Sequence, residues 1–126
     1  MANALPRHFP GRPPIDAYGN GGFRFADMSH KGSLLIIASG VYAWPPVRFC
    51  DITEQDFRLA FNEKDQIELM LVGTGQDLML PPERLKLSFR AKGIALDCMG
   101  TGAAARTYNV LLGEGRRVAA ALIAVD

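Results

Sequence analysis

The amino-acid sequence predicts a single three-layer α/β domain with a partly parallel central sheet. Its 126 residues are about the length of one domain. Apolar residues make up 48% of the chain and charged residues 21%, which is ordinary usage for a globular protein. The second half alternates apolar runs with helix-like segments, and this order is typical of parallel strands that are covered by helices.

The first residues, 1–14, are expected to be a flexible arm, so that the folded domain spans residues 15–126. The arm has no apolar core and is therefore not a secretory signal. Its four prolines would block the amphipathic helix of an organellar presequence. These prolines are Pro6, Pro10, Pro13 and Pro14.

An antiparallel β element is predicted next. Residues 15–18 and 23–25 have the pattern of short strands, and the sequence GNGG between them is typical of a turn. Residues 33–38 (SLLIIA) are continuously apolar, which indicates a strand covered on both faces. Glycine and proline bracket residues 39–46, and we interpret this segment as a loop.

The remaining elements follow one another regularly. Thr53 has the properties of a helix N-cap, with acidic residues in the turn after it. Beyond that short helix, three strands are predicted over 67–72, 94–99 and 118–125, with helices over 81–92 and 103–112 between them. Two right-handed crossovers would join these strands into a parallel sheet.

Two of these strands are each followed by a Gly-Thr-Gly turn. The turns are Gly73, Thr74, Gly75 and Gly100, Thr101, Gly102. Parallel strands end at one edge of a sheet, where open α/β sheets bind ligands. Glycine allows the backbone to approach a ligand, and free N–H groups at a helix start favour an anion. The alternative is that both turns are only tight strand-to-helix connections.

Asp126 and Arg106 bear on which ligand such a turn could bind. The second turn fits the pattern G-x-G-x-x-A, and Asp126 lies near the place of a ribose-binding acid. We reject a dinucleotide site, because such folds begin with this unit and continue with further strands. Arg106, about one turn into the helix, is a candidate anion ligand. Its alternative role is a solvated arginine that pairs with Asp97 or Glu114.

A second candidate surface lies in the predicted loop. Tyr42 and Trp44 are aromatic residues of the kind that anchor partner proteins, and Arg48 would be a charge at the rim. The alternative is that Trp44 folds back as a lid on the core.

The sequence shows no complete catalytic set, and we predict no catalytic residues, no metal site and no cofactor. His8 and His30 have no second ligand at metal-binding spacing. Cys50 and Cys98 are too few for a secreted disulfide framework and favour a reducing compartment. The formal net charge of +1 gives no indication of nucleic acid. No uncharged run reaches the roughly 20 apolar residues of a membrane-spanning helix.

Several of these motifs, in this order, resemble the adipogenesis-associated Mth domain family. They are the sequences IDAYG at 15–19, GFRF at 22–25, GS at 32–33, Trp44, VGTG at 72–75 and MGTGAAARTYNVLL at 99–112. The resemblance implies a three-layer fold with a mixed central sheet. The family includes mitochondrial respiratory complex I assembly factor 3 proteins and uncharacterised bacterial proteins. It has no established activity, so the resemblance implies no catalytic residues.

Two functions follow as hypotheses. The first is a non-enzymatic accessory protein that assists assembly of a respiratory or other membrane-associated complex. Its partners would be proteins such as subunits of that complex, and the chain would be a monomer or weak homodimer. The second is a small-molecule or anion-binding domain, conceivably an enzyme, with its cleft between the Gly-Thr-Gly turns. The expected location is the bacterial cytoplasm rather than the mitochondrion.

Overall fold

The computed structural model of the chain describes residues 7–126. Within that range the strands are β1 (Arg7–Pro10), β2 (Ala17–Gly19), β3 (Gly22–Phe25), β4 (Met28–Lys31), β5 (Ser33–Ile37), β6 (Gly40–Trp44), β7 (Leu69–Gly73), β8 (Ala95–Met99) and β9 (Val118–Leu122). The α-helices are α1 (Arg58–Asn62), α2 (Glu83–Lys92) and α3 (Thr101–Gly113). Short 3-10 turns span Phe49–Asp51, Glu54–Phe57 and Lys64–Gln66.

Six strands form the central sheet, in the order β1-β6-β5-β9-β7-β8. Strand β7 is parallel to both β8 and β9, whereas β5 is antiparallel to β9 and to β6. A separate antiparallel sheet consists of β2, β3 and β4. The predicted α/β fold, with a mixed central sheet and an N-terminal antiparallel element, is confirmed.

The two faces of the central sheet carry separate hydrophobic cores. Leu35 and Ile37 of β5 point into the core formed with α1 and α2, and Leu34 and Ile36 point into the core formed with α3 and the small sheet. This alternation is the two-residue period of a strand. All five residues of β5 are buried because both faces of the sheet are covered, which matches the apolar run in the sequence.

The flexible arm expected over 1–14 is corrected for the part that the structure describes, while residues 1–6 lie outside it. Strand β1 pairs antiparallel with β6, so residues 7–10 belong to the central sheet. Pro10 is tolerated there because β1 is an edge strand, in which one row of backbone groups needs no partner. Beyond the strand, Arg12 donates a hydrogen bond of 3.1 Å from Nη1 to the Val118 carbonyl oxygen.

The loop expected over 39–46 is also corrected. Residues Gly40–Trp44 form β6, which pairs with β5 through a hairpin in which Ile37 lies opposite Gly40. Two residues therefore connect the strands, a length typical of tight hairpins. Trp44 lies opposite Ser33 and is 3% exposed, so its ring belongs to the core.

Helix α2 ends as the sequence predicts, at Gly93, whose φ of 75° is left-handed and favours glycine. No helix in residues 7–126 is both long and apolar enough to cross a membrane.

Candidate functional site

The two Gly-Thr-Gly turns lie side by side at one edge of the central sheet, as the sequence predicts. Strands β7 and β8 are parallel and in register, with Gly73 opposite Met99. The first turn leads into a loop over residues 76–82, and the second leads directly into α3. Gly75 has a φ of +111°, which glycine adopts without strain.

The two turns are hydrogen-bonded to each other rather than separated by a cleft. The Thr101 N–H donates to the Gly75 carbonyl at 2.8 Å, and the Gly75 N–H donates to Thr101 Oγ1 at 3.0 Å. The Thr74 N–H donates to the Met99 carbonyl at 2.8 Å. Thr101 is fully buried, and its hydroxyl donates to the Ile123 carbonyl at 2.7 Å.

Two of the glycines allow close packing. A Cβ atom at Gly73 would lie 2.9 Å from Thr101 Cα, and a Cβ at Gly102 would collide with the Tyr18 hydroxyl. The atoms that pack closely against these glycines therefore belong to the chain itself. A ligand-binding role for Gly73, Thr74, Gly75, Gly100, Thr101, Gly102 and Arg106 stays a prediction.

Arg106 faces the small sheet. Its Nη1 donates to the Tyr18 hydroxyl at 3.1 Å, and these two residues line a groove of about 290 Å³ together with Asp16 and Asn109. The ion pairs found within residues 7–126 do not include one from Arg106 to Asp97 or Glu114. The structure thus joins Arg106 to β2.

The aromatic surface predicted around Tyr42 and Trp44 is not exposed. Trp44 Nε1 donates to the Asp56 carbonyl at 2.8 Å, and its ring lies 5.4 Å from that of Phe57. Tyr42 is half-buried, and its hydroxyl is hydrogen-bonded to Ser39 Oγ at 2.6 Å. The alternative that Trp44 covers the core is the correct description, because strand pairing turns the indole inward.

Arg48 is exposed and forms an ion pair of 3.3 Å with Asp51. It also lines a groove of about 320 Å³ at the carboxyl edge of the sheet. The same groove is lined by Cys50, Thr74, Gly75 and Met79. The structure therefore places Arg48 beside the first Gly-Thr-Gly turn, although the sequence analysis assigned them to different sites.

An exposed apolar cluster borders this groove, and we call it the apolar rim. It consists of Val47, Leu78, Met79 and Leu80, with exposed fractions of 77%, 61%, 43% and 81%. The four make up more than half of the seven large apolar side chains that are exposed in residues 7–126. Val47 and Met79 line the groove together, and Leu78 and Leu80 flank Met79 along the chain.

Thr74 holds the loop that carries most of the apolar rim. Its hydroxyl donates to the Asp77 carbonyl and accepts the Met79 N–H at 3.2 Å. A loop fixed with consecutive apolar side chains in solvent is typical of a protein interaction site. This loop was not among the predicted sites, although the run Leu78-Met79-Leu80 stands where a connecting loop is usually polar.

The Cys98 thiol lies near this edge of the sheet. Burial, with a smaller contribution from Asp97, raises the pKa of the Cys98 thiol to about 11. The neutral thiol is therefore favoured, which makes Cys98 a weak nucleophile. In the described part of the chain, no three His, Cys, Asp or Glu side chains are grouped as metal ligands.

Comparison with known proteins identifies a family. Residues 15–123 match the family described as protein of unknown function (DUF498/DUF598). The chain is 41% identical over 115 residues to an uncharacterized protein of Rhodobacter capsulatus, covering 91% of this chain and 87% of that one.

A second group of relatives carries a functional name. The chain is 35% identical over 120 residues to NADH dehydrogenase (ubiquinone) 1 alpha subcomplex assembly factor 3 of Mus musculus. The alignment covers 94% of this chain and 64% of that relative, so the chain spans less than two thirds of its length.

Solved structures share the fold. One, described as an outer membrane protein from Bartonella henselae, has a TM-score of 0.91 and 55% identity, covering 94% of this chain and all of that one. Another, a Mth938-like domain from Bordetella pertussis, has a TM-score of 0.79 and 29% identity over 89% of this chain and 85% of that one.

Proposed function

Because the chain belongs to the family of proteins of unknown function DUF498/DUF598, we propose a role that one group of its relatives carries in their name. The protein is proposed to be an accessory factor that assists assembly of a respiratory or other membrane-associated complex. Similarity to the murine assembly factor over 94% of this chain supports the proposal. The role of that longer relative is carried over as part of the proposal.

The structural observation that carries this proposal is the apolar rim. Exposed large apolar side chains lose unfavourable contact with water when a partner covers them. Leu80 is 81% exposed and Val47 is 77% exposed, so both have most of their surface available to a partner. Arg48, next to Val47, would lie at the polar margin that usually surrounds such a contact.

The proposed partner is a protein subunit of the complex, which presents an apolar surface to the rim before it is assembled. The proposed location is the bacterial cytoplasm; the bacterial relatives support a bacterial source, whereas the Bartonella henselae relative is described as an outer membrane protein. Partner and location are separate parts of the proposal. Cell fractionation tests the second independently, since recovery of the protein in the outer membrane fraction would contradict it.

The experiment is affinity purification from cells of the native organism, in mild detergent, with mass spectrometry of the recovered proteins. The test variant is Leu78→Ser/Leu80→Ser. The matched control is Leu87→Ser/Val110→Ser, which removes two exposed apolar side chains from helices α2 and α3. Melting curves establish that both variants remain folded.

We expect the wild type and the control to recover subunits of the respiratory NADH dehydrogenase. The rim variant should recover about tenfold less, because interface anchors commonly contribute more than 1 kcal/mol each. Equal recovery with both variants would remove the rim from the proposal. Absence of respiratory or other membrane-complex subunits from the wild-type sample would contradict the assembly role itself.

A further inference from the structure

The small sheet has a groove of about 270 Å³, and the residues that line it include Gly19, Gly22, Arg24 and Lys31. Strand register places Gly19, Gly22 and Lys31 in one row across the three strands. A Cβ at Gly22 would collide with the His30 backbone, so only glycine fits at that position. Gly22 is buried and Gly19 is half-buried, and neither adds a side chain to the groove between the exposed residues around them.

Two cations stand on this face. Arg24 is opposite Ser29, and its Nη1 donates to Ser29 Oγ at 2.8 Å, which fixes the guanidinium across the strands. Lys31 lies opposite Gly22, and Gly22 is two residues from Arg24 along β3. Diagonal neighbours of this kind are roughly 7–8 Å apart, within reach of long side chains. Both cations can therefore approach the same or adjacent carboxylates.

Neither cation forms an ion pair within the described chain. The ion pairs found in residues 7–126 all lie between Arg48 and Arg117, and none includes Arg24 or Lys31. Asp16 and Asp27, which lie at the ends of the small sheet, form no ion pair with them. Both side chains are exposed, so both cations are available to a partner.

We propose that the outer face of the small sheet binds an acidic, extended segment of a protein partner. Carboxylates of the segment pair with Arg24 and Lys31, and the segment lies along the groove that both residues line. Charge complementarity selects acidic side chains, since guanidinium and ammonium groups both donate hydrogen bonds to carboxylates. This surface is formed by different residues from the apolar rim, and the inference does not require a respiratory complex.

A lipid surface fits the same face less well. Two cations attract an anionic bilayer only weakly, because binding of this type depends on clusters of four or more. The groove is also concave, whereas a bilayer is flat. An extended peptide can enter the groove and reach both cations.

The test uses the isolated protein, labelled with ¹⁵N, and a capped octapeptide of glutamate at an ionic strength of about 0.15 M. A capped octapeptide of glutamine is the neutral probe. Amide chemical shifts report where the probe binds, and their titration gives Kd. The test variant is Arg24→Gln/Lys31→Gln. The matched control is Arg90→Gln/Lys92→Gln, which removes two exposed charges from the end of α2.

We expect the glutamate peptide to shift the amides of residues 17–31 and the glutamine peptide to shift none. The test variant should weaken binding about tenfold, while the control variant keeps the wild-type Kd, because only nearby charges act strongly in salt. Equal weakening by both variants, or shifts spread over other elements, would overturn the proposal.

Two further arms distinguish other anions. Inorganic phosphate that binds residues 17–31 as tightly as the peptide would assign the face to a small anion instead. Vesicles of phosphatidylglycerol that bind the wild type but not the test variant, without any peptide binding, would assign it to lipid. Either result would replace the acidic protein segment as the occupant. All substituted residues in this test are exposed, and melting curves verify that each variant is folded.

Discussion

Asn109 and Ile15 form a reciprocal pair of hydrogen bonds. The Ile15 N–H donates to Asn109 Oδ1 at 2.8 Å, and Asn109 Nδ2 donates to the Ile15 carbonyl at 2.8 Å. At the preceding position of the helix, the Tyr108 hydroxyl donates to the Pro13 carbonyl, also at 2.8 Å. Helix α3 therefore fixes the segment that leads from the central sheet to the small sheet.

Asn109→Ala should lower the free energy of unfolding by about 3 kcal/mol, because it leaves two backbone groups without partners. Urea unfolding measures this change. Asn62→Ala, at an exposed position, is the control and should stay within about 0.5 kcal/mol of the wild type. Hydrogen exchange should also accelerate at the amides of residues 15–18. A cost no larger than that of the control would show that Asn109 does not hold this segment.

Thr101 offers a separate test of the contact between the Gly-Thr-Gly turns. Thr101→Val keeps the shape but removes the hydroxyl that bonds both Gly75 and Ile123. It should cost about 2–4 kcal/mol, since two buried backbone groups lose their partner. Thr101→Ser keeps the hydroxyl and should cost only about 1 kcal/mol for the methyl group. Denaturant unfolding compares them, and an equal loss in both would contradict a hydrogen-bonding role.

Gly73 tests how tightly β7 packs against α3. Gly73→Ala places a Cβ 2.9 Å from both Cα and Oγ1 of Thr101, where backbone limits relief. We expect a loss of about 1–3 kcal/mol from overpacking, measured by thermal unfolding. Gly113→Ala is the matched substitution, because nothing lies within 4 Å of its Cβ. It should be neutral or stabilising by about 0.5 kcal/mol, from better helix propensity.

Trp44→Ala should destabilise the protein by about 3–5 kcal/mol, because the indole is 3% exposed in the core. Trp44→Phe retains much of the apolar contact but loses the hydrogen bond to Asp56, so its cost should be smaller. As the single tryptophan of the chain, Trp44 also reports unfolding through a red shift of its fluorescence. Stability unchanged in Trp44→Ala would restore the hypothesis of an exposed anchor.

Stability should fall at alkaline pH. The pKa of Cys98 is raised from 9.0 to about 11 in the folded state, first by burial and then by Asp97. Between these values the unfolded chain loses the thiol proton before the folded chain does, so the contribution to stability is complete below 9.0 and decreases toward about 11.

Cys98→Ala removes this part of the slope, and urea unfolding across that pH range measures it. The cavity left by the substitution lowers stability equally at each pH. Burial also raises the pKa of Tyr108, so a further alkaline decrease should remain in both proteins. Wild-type and variant curves that stay parallel across the range would contradict a role for the thiol.

The second half of the chain was predictable because its local signals agree with its tertiary environment. Strands β7 and β9 are apolar runs, β8 is apolar apart from Asp97, and their helices end at glycine, as with Gly93 after α2. The adjacency of the two Gly-Thr-Gly turns also followed from parallel pairing. The hydrogen bonds between the two turns could not be predicted, because the same sequence allows a threonine hydroxyl to bind either a ligand or a neighbouring turn.

The first half was harder for physical reasons. Strand β4 has the polar sequence MSHK, and its turn places Ala26 and Asp27 at positive φ where asparagine and glycine are the usual signals. Strand β1 contains proline, which suggested an arm, but an edge strand tolerates it. The position of Trp44 depends on the hairpin that β6 forms with β5. The glycine and proline residues at either end of this segment indicated a loop, so the pairing was not predicted.

Strand β9 has a consequence for biosynthesis. It lies between β5 and β7, and it joins β1, β6 and β5 to β7 and β8. During translation, therefore, the two strand groups emerge from the ribosome before the strand that unites them. Until residues 118–122 are available, β5 and β7 each present an open edge to other nascent chains. Completion of the sheet is consequently a late step, which follows synthesis of Val118–Leu122.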